Sequence, residues 1–478
     1  MMVGIKSYGV YIPYFRLSRA EISKSWGGFP APGERAVANY DEDTITMAVA
    51  ACRDCLRGFD PQEIERLLLA STTFSYGEKQ SASIVAAALD LKKEALTLDL
   101  SSSLRSGTTG VRLAFEAIRA GTSKNIVVCA SDIRMGLPNG PRELEFGDGA
   151  SALLLGDTGV IATVDCMLSS NEDIYDVFRP VEENCVRSWE DRFCREAGYT
   201  QIMLETLTAA AKKFKFTAKD FAKAVLYAPN PGYLAGVARA AGFDLKTQVQ
   251  DSLYSMVGNT GTALSPMMLA AALDEAKPGD RILWVGYGDG CDVIALTVTD
   301  EITKVQERKT VQKHLTAKNN LSYQKYLRWR SVIETEPPMR PKPEPASAVA
   351  LYRDRKGGMG LYGVKCKQCG TVQYPIQRIC MNCLSKDNFE DYCFANRIGK
   401  VTTFSHDNLA VSPDPPSTVA VLDFDGGGRI MMDITDRDPS EIKIGMPVEM
   451  TFRHIRYVEG IHNYWWKCRP MRSSVLSK

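Results

Sequence analysis

Histidine is scarce in this 478-residue chain: there are four, His314, His406, His454 and His462, and none before position 314. No cysteine–histidine or serine–histidine pair can therefore be built within the first 310 residues, and that stretch lacks the commonest general base for acyl transfer. Net charge is nearly absent too, at +1, so overall charge gives no argument for nucleic acid or an anionic membrane. No apolar run approaches the roughly 20 residues of a membrane-spanning helix. The opening Met1–Lys6 lacks the charged-then-apolar layout of a secretory signal. Thirteen cysteines at scattered spacings argue for reduced thiols plus a metal site, not a disulfide framework, and hence for a cytoplasmic protein.

What is present is ordinary for a soluble globular chain: 45% apolar and 24% charged residues, in a length that predicts two or three domains. Residues 1–300 alternate β-branched runs (126–128, 152–155, 224–227, 282–285) with alanine-rich amphipathic segments (46–56, 108–120, 206–214, 266–276). That alternation predicts βαβ units and a largely parallel sheet. Glycine turns at Gly147–Gly149 and Gly286–Gly290, one near the end of each half, hint at an internal duplication. Residues 301–360 then read as a connector. Lys304, Arg308, Lys309, Lys313, Lys318, Lys325, Arg328 and Arg330 form a solvated basic face, with phosphate contact as the sharper alternative. Pro337, Pro338, Pro341, Pro343 and Pro345 stiffen the second part of the connector. Residues 391–478 read as short strands with turns, a small β-barrel.

Between connector and barrel, over 361–390, lie Cys366-x-x-Cys369 and Cys380-x-x-Cys383, ten residues apart. Each pair sets two thiolates on one side of a tight turn, and two such knuckles complete the tetrahedral shell of a structural zinc. Cys52-x-x-Cys55 has no partner pair, lies on an amphipathic segment, and reads as helix packing.

Six segments carry a family resemblance: 4–13 (GIKSYGVYIP), 37–47 (VANYDEDTITM), 101–110 (SSSLRSGTTG), 146–150 (FGDGA), 258–262 (GNTGT) and 286–290 (GYGDG). In them the first 300 residues resemble the thiolase superfamily, most closely its 3-hydroxy-3-methylglutaryl-CoA synthase branch. Residues 318–470 resemble the zinc-ribbon and OB-fold domain that accompanies thiolases, through the four cysteines, 419–425 (VAVLDFD), 445–448 (GMPV) and Trp466-Lys467. The resemblance implies a five-layer αβαβα body, usually dimeric, acting on coenzyme A thioesters.

It also implies an acyl-enzyme cysteine, a histidine and a glutamate, and these are missing. The cysteine position, three residues before Gly107-Thr108, holds Leu104. The histidine position, two before Pro229-Asn230, holds Tyr227, and the glutamate position falls near Thr72. An alternative register at Ser101–Ser103 offers a serine, but no histidine to activate it. Asn259 matches the family asparagine that hydrogen-bonds a substrate carbonyl. Gly147, Gly149, Gly286 and Gly288 would let backbone amides approach a thioester oxygen, or serve only as tight turns. Tyr227 would donate or accept a proton if its pKa is lowered, or simply fill the space of the histidine.

These residues are compatible with three functions. The chain acts on acyl-CoA carbon–carbon bonds without a covalent intermediate, as an aldolase-type lyase would, with a thiolase-family partner or as a homodimer. Alternatively it is a non-catalytic subunit holding the CoA substrate. Third and weakest is single-stranded nucleic-acid binding through Tyr457, Tyr464, Trp465 and Trp466, opposed by Asp423, Asp425, Asp433, Asp436 and Asp438.

Overall fold

The computed structural model describes residues 2–336, 339, 344 and 347–472. The N-terminal half contributes β1 (Gly4–Tyr11), α1 (Thr44–Cys55), β2 (Arg66–Ala70), α2 (Ser81–Ala88), β3 (Leu96–Leu100), α3 (Ser106–Arg119), β4 (Asn125–Ile133) and β5 (Asp148–Gly156). The second half repeats the plan with β6 (Ala162–Asn171), α4 (Gln201–Phe214), β7 (Lys223–Leu226), α5 (Pro231–Ala240), α6 (Leu264–Glu275), β8 (Arg281–Tyr287) and β9 (Gly290–Val298). In the first half β2 runs parallel to β4, β4 antiparallel to β5 and β5 antiparallel to β1. In the second, β7 is parallel to β8, β8 antiparallel to β9 and β9 antiparallel to β6. A parallel bridge, Ala224 to Val249, stands where β3 pairs with β2. The duplication hinted at by the glycine turns is thus carried by the topology.

The halves meet edge to edge where Gly4 faces Thr163 and Ile5 faces Ala162, giving one sheet ordered β7-β8-β9-β6-β1-β5-β4-β2-β3. Helices α3 and α6 pack on each other between the two halves of this sheet, with α1 and α2 outside the first half and α4 outside the second. The body therefore has the five αβαβα layers implied by the resemblance. Placement in the central layer explains α6, whose sequence LSPMMLAAALDE buries nearly every side chain, as a helix with sheet on both sides must. Local signals agree. Asp43 caps α1 by accepting from Thr46 N at 2.8 Å, and Asn230 caps α5 ahead of Pro231 at its first position, each cap contributing about 1 kcal/mol.

Residues 301–330 form a basic face only in part. Helices α7 (Thr310–Thr316) and α8 (Tyr323–Trp329) strap the body, and Lys304, Lys309 and Arg328 stay exposed while other cations turn to body partners. Arg308 donates to Ser7 Oγ at 2.9 Å and to the carbonyls of Tyr8 and Asp54 at 3.0 and 2.9 Å. Lys318 pairs with Glu34 at 2.6 Å, and Arg330 with the buried Asp148. The solvated reading fails for these three because their body partners lie 301, 284 and 182 residues away in sequence. The strap also brings His314 onto the body, so the body does carry one histidine. Pro337, Pro338, Pro341, Pro343 and Pro345 lie outside the described residues.

The ribbon comprises β10 (Tyr362–Cys366), β11 (Val372–Gln373) and β12 (Phe389–Cys393). The barrel has β13 (Ile398–Asp407), β14 (Ser417–Phe424), β15 (Arg429–Asp433), β16 (Pro447–Val458) and β17 (Ile461–Pro470), in the order β15-β14-β13-β16-β17. A parallel bridge from Ile434 to Cys468 joins the two ends, giving a closed five-stranded OB-like barrel. Its apolar core runs on into the layer of α1 and α2. Cys52 and Cys55 are fully buried in that layer, as helix packing requires.

A buried ionic seam joins barrel to body. Arg453, wholly buried, meets Asp41 at 3.0 Å, Glu42 at 2.8 Å and Asp436 at 2.6 Å. Lys467 reaches Asp41 at 3.1 Å, Arg472 reaches Asp436 at 3.1 Å, and Arg469 holds Glu449 at 2.9 Å. The buried His314 takes a 2.7 Å contact from Arg472.

Candidate functional site

Asn259 is placed by backbone. The turn at 146–149 pairs with the loop before α6: Asn259 N donates to Glu145 O at 2.8 Å, and Gly147 N to Asn259 O at 3.0 Å. A Cβ on Gly147 would lie 1.9 Å from Val257 O, so only glycine permits this approach. The Asn259 side chain is 2% exposed and points to the end of β7. There its Nδ2 donates to Tyr227 Oη at 3.1 Å, while Gly261 N donates to its Oδ1 at 3.0 Å. Sequence reasoning named these two residues separately; the fold puts them in contact.

Tyr227 is 1% exposed, and burial raises its pKa, against a smaller opposing effect from Arg134. The phenol is therefore protonated at neutral pH and can donate a hydrogen bond; the lowered pKa that a base would need is not found. Tyr199 Oη donates to the Tyr227 carbonyl at 2.7 Å and fixes the strand end.

Leu104 sits just before α3, against Gly288. A Cβ on Gly288 would be 2.9 Å from Leu104 N, and its φ of +152° also favours glycine. The loop is locked to α3 by Arg105 pairing with Asp292 at 3.1 Å and by Thr108 Oγ1 donating to the same carboxylate at 2.6 Å. Gly286 lies beside Thr108, and Gly149 beside Met267 of α6. Close packing accounts for all four glycines. The amides of Gly147 and Gly288 are already engaged, the latter with Gly290 O at 3.0 Å. Ser103 Oγ donates to Gly288 O at 2.9 Å, which holds the loop.

Thr72 binds a buried carboxylate instead of supplying one. Asp132 Oδ1 accepts from Thr72 N at 2.7 Å, Thr72 Oγ1 at 3.0 Å, Ser71 Oγ at 2.9 Å and Thr73 Oγ1 at 2.9 Å. Its Oδ2 accepts from Thr262 N and Oγ1 at 2.8 and 2.9 Å. The sequence reading missed both Asp132 and the nearby Arg134. The available signal was an acid and an arginine, Asp132 and Arg134, directly after the apolar run 126–130.

In the ribbon, the four sulfurs of Cys366, Cys369, Cys380 and Cys383 lie within 4.8 Å of one another, with 366–383 at 3.6 Å and 369–380 at 3.5 Å. A tetrahedral zinc with bonds of about 2.3 Å needs sulfurs about 3.8 Å apart, so the set fits. The two knuckles are built alike. Gly370 N donates to Cys366 O at 2.9 Å and Leu384 N to Cys380 O at 3.1 Å, both residues having positive φ.

Comparison with known proteins matches the same parts. Residues 360–390 fit the family described as the ChsH2 rubredoxin-like zinc ribbon domain, and 394–453 the ChsH2 C-terminal OB-fold domain. The hydroxymethylglutaryl-CoA synthase of Methanosphaera stadtmanae is 31% identical over 345 residues, covering 70% of this chain and 99% of that protein. The chain belongs to the hydroxymethylglutaryl-CoA synthase family. The Archaeoglobus fulgidus synthase is 30% identical over 344 residues, covering 70% of this chain and all of its own. Among solved structures, MvaS in complex with 3-hydroxy-3-methylglutaryl coenzyme A superposes with a TM-score of 0.63 at 24% identity, covering 72% of this chain and 95% of that one. An HMG-CoA synthase complexed with CoA gives 0.62 at 20%, covering 68% and 89%. These two likenesses show the fold. The family member described here thus joins a synthase-like body to a zinc ribbon and OB barrel. No helix among the described residues is long and apolar enough to cross a membrane.

Proposed function

We propose that this chain binds acyl-CoA thioesters and takes part in making or breaking a carbon–carbon bond of the acyl group, in complex with a thiolase-family chain that supplies the nucleophile. One observation carries the reading. Asn259, which by resemblance holds the family's carbonyl-binding position, is buried against Tyr227, while by the same resemblance Leu104, Tyr227 and Thr72 stand where an acyl-transfer mechanism needs cysteine, histidine and glutamate. A leucine cannot be acylated, and a buried protonated phenol cannot deprotonate a neighbour at neutral pH. The relatives' names supply CoA as the carrier.

A second reading, the CoA-holding subunit with no chemistry of its own, is favoured by the protonated state of Tyr227. In the first reading Tyr227 and Asn259 act as donors to a developing oxyanion; in the second they only hold a carbonyl. Free cysteines throughout the described residues support a cytoplasmic setting. Affinity purification of the tagged chain from its host, with mass spectrometry, tests the proposal. A stoichiometric thiolase-family partner is the expected result. An active homodimer with nothing bound would overturn the partner and leave the chain to act alone.

A further inference from the structure

A cavity of about 480 Å³ lies at the joint between body and barrel. Its walls are the last turn of α1 with the loop after it, the strap helix α7, the segment joining β12 to β13, and β16. The volume falls in the range of small-ligand pockets. Arg57, Gly58, Asn396 and Arg397 line it and are exposed, so it opens to solvent on that side.

Three acids line the cavity, and each is already held. Glu449 pairs with Arg469 at 2.9 Å. Asp54 accepts from Thr310 Oγ1 and pairs with Arg57 at 3.4 Å, and Asp90 accepts from Tyr362 Oη. The cations outnumber them. Arg53 donates to the carbonyls of Met450 and Ala395 and to the Asn396 amide oxygen, all neutral. The Arg397 guanidinium lies 4.8 Å over the Tyr392 ring. Among the described residues the side chains of Arg397 and Lys313 have no hydrogen-bond or ion-pair partner, and Arg53 has no carboxylate. His314, also in the wall, is held neutral by burial and then by Arg472. Burial, and then the charge of Arg57, lower the pKa of Lys313. Its ammonium is therefore disfavoured where it stands until an anion joins it.

The cavity is separate from the candidate site. Helix α1 begins at Thr44, whose Oγ1 donates to Thr73 O at 2.8 Å, and Thr73 in turn binds Asp132. The other end of the same 12-residue helix reaches the cavity, about 18 Å away along the axis. Lys313 belongs to the basic run for which the sequence offers phosphate contact as the sharper alternative.

We infer that this joint is a receptor for a diphosphate-bearing small molecule, distinct from the acyl-CoA site. Three cations without a carboxylate suit a multiply charged diphosphate; a single carboxylate would leave two of them unmatched. Lysine and arginine are the residues that bind phosphoryl oxygens. Leu56, Phe59 and Leu89 give an apolar wall for the group that carries the diphosphate. A ligand held between the end of α1 and β16 would also tie barrel to body, so its binding raises the melting temperature. Inorganic pyrophosphate and a nucleoside diphosphate share the chemistry, and the apolar wall distinguishes them.

The test is isothermal titration of the full chain with ADP, pyrophosphate and adenosine. ADP is expected to bind about tenfold or more tighter than adenosine, and to lose about tenfold or more in Lys313→Met and in Arg397→Met. Arg397 is exposed, so its substitution leaves the fold intact. ADP binding more tightly than pyrophosphate assigns a nucleoside diphosphate; equal binding assigns the inorganic anion. ADP should still bind after one equivalent of CoA has been added; loss of binding at that point would merge the cavity with the acyl-CoA site and overturn the inference. Absence of binding by both ADP and pyrophosphate at millimolar concentration overturns it without any variant. So does adenosine binding as tightly as ADP, or ADP affinity unchanged in both variants. None of these outcomes bears on whether acyl-CoA binds elsewhere.

Discussion

Asn259 Nδ2 donates to the Tyr227 hydroxyl across 3.1 Å, joining the loop before α6 to the end of β7. The contact makes Tyr227→Phe a clean substitution: it removes one buried hydrogen bond, worth about 1 kcal/mol, and almost no volume. The variant should melt within a few degrees of the unaltered protein. If the chain performs chemistry, carbon–carbon cleavage or synthesis should be lost; full activity in the variant would remove Tyr227 from the mechanism. Because burial raises the pKa of this phenol, no activity limb assignable to its ionisation is expected between pH 6 and about 9.

Incubation with acetyl-CoA should leave the intact mass of the chain unchanged by an acetyl group. Leu104 stands where the resemblance expects the cysteine, and the serine nearest it, Ser103, is bonded to Gly288 O. An acetylated peptide spanning residues 101–105 would refute this account of the site.

Metal analysis of native protein should find one zinc per chain. Cys380→Ser removes one of four thiolate ligands and leaves a buried position in the ribbon without its bond. Zinc content should fall steeply, and limited proteolysis should then cut first within 360–393. A stoichiometry near zero in the native protein would sink the assignment.

Arg453→Met leaves Asp41, Glu42 and Asp436 facing one another with their central cation gone. Breaking a buried ion network in this way costs about 3–5 kcal/mol. Urea unfolding should show that loss. A change under 1 kcal/mol would mean the seam is held by its apolar surroundings instead.

The same seam should make the protein acid-sensitive in two stages. The pKa of His314 is held well below its ordinary value by burial and by Arg472. Its neutral form is favoured by the fold, so its contribution is full above about pH 6.5 and declines as pH falls below that. Glu449 is held down to about 2, chiefly by Arg469 acting against burial. Its contribution is present above the ordinary glutamate range and is lost as pH falls from about 4.5 towards 2. Melting temperature against pH should therefore begin to decline near 6.5, and His314→Gln should remove that first stage alone. An unaltered profile in His314→Gln would exclude this histidine as the sensor.

Local pattern and spacing made much of this molecule legible. The four expected helical segments fall within α1, α3, α4 and α6 to within a residue or two, and the four expected strands lie in β4, β5, β7 and β8. The cysteine spacing led directly to the ribbon, since a knuckle is a contact within five residues. Contacts across hundreds of residues were not legible. Nothing near Arg308 announces that it will bind Ser7 and Tyr8, so a run of cations looked like a solvent face. Asp41 and Glu42 registered only as letters in a family segment because their partner, Arg453, is about 400 positions away. Arg134 was passed over because an isolated arginine carries no spacing to read.

The seam also sets an order on biosynthesis. The carboxylates at 41 and 42 leave the ribosome long before the cations at 453, 467 and 472, and domains tend to fold as they emerge. Through most of translation the nascent body presents an acidic, partly apolar face with its barrel still unmade. The barrel segment acts as a lid on that surface, so a stop within it leaves the interface open on a body already made.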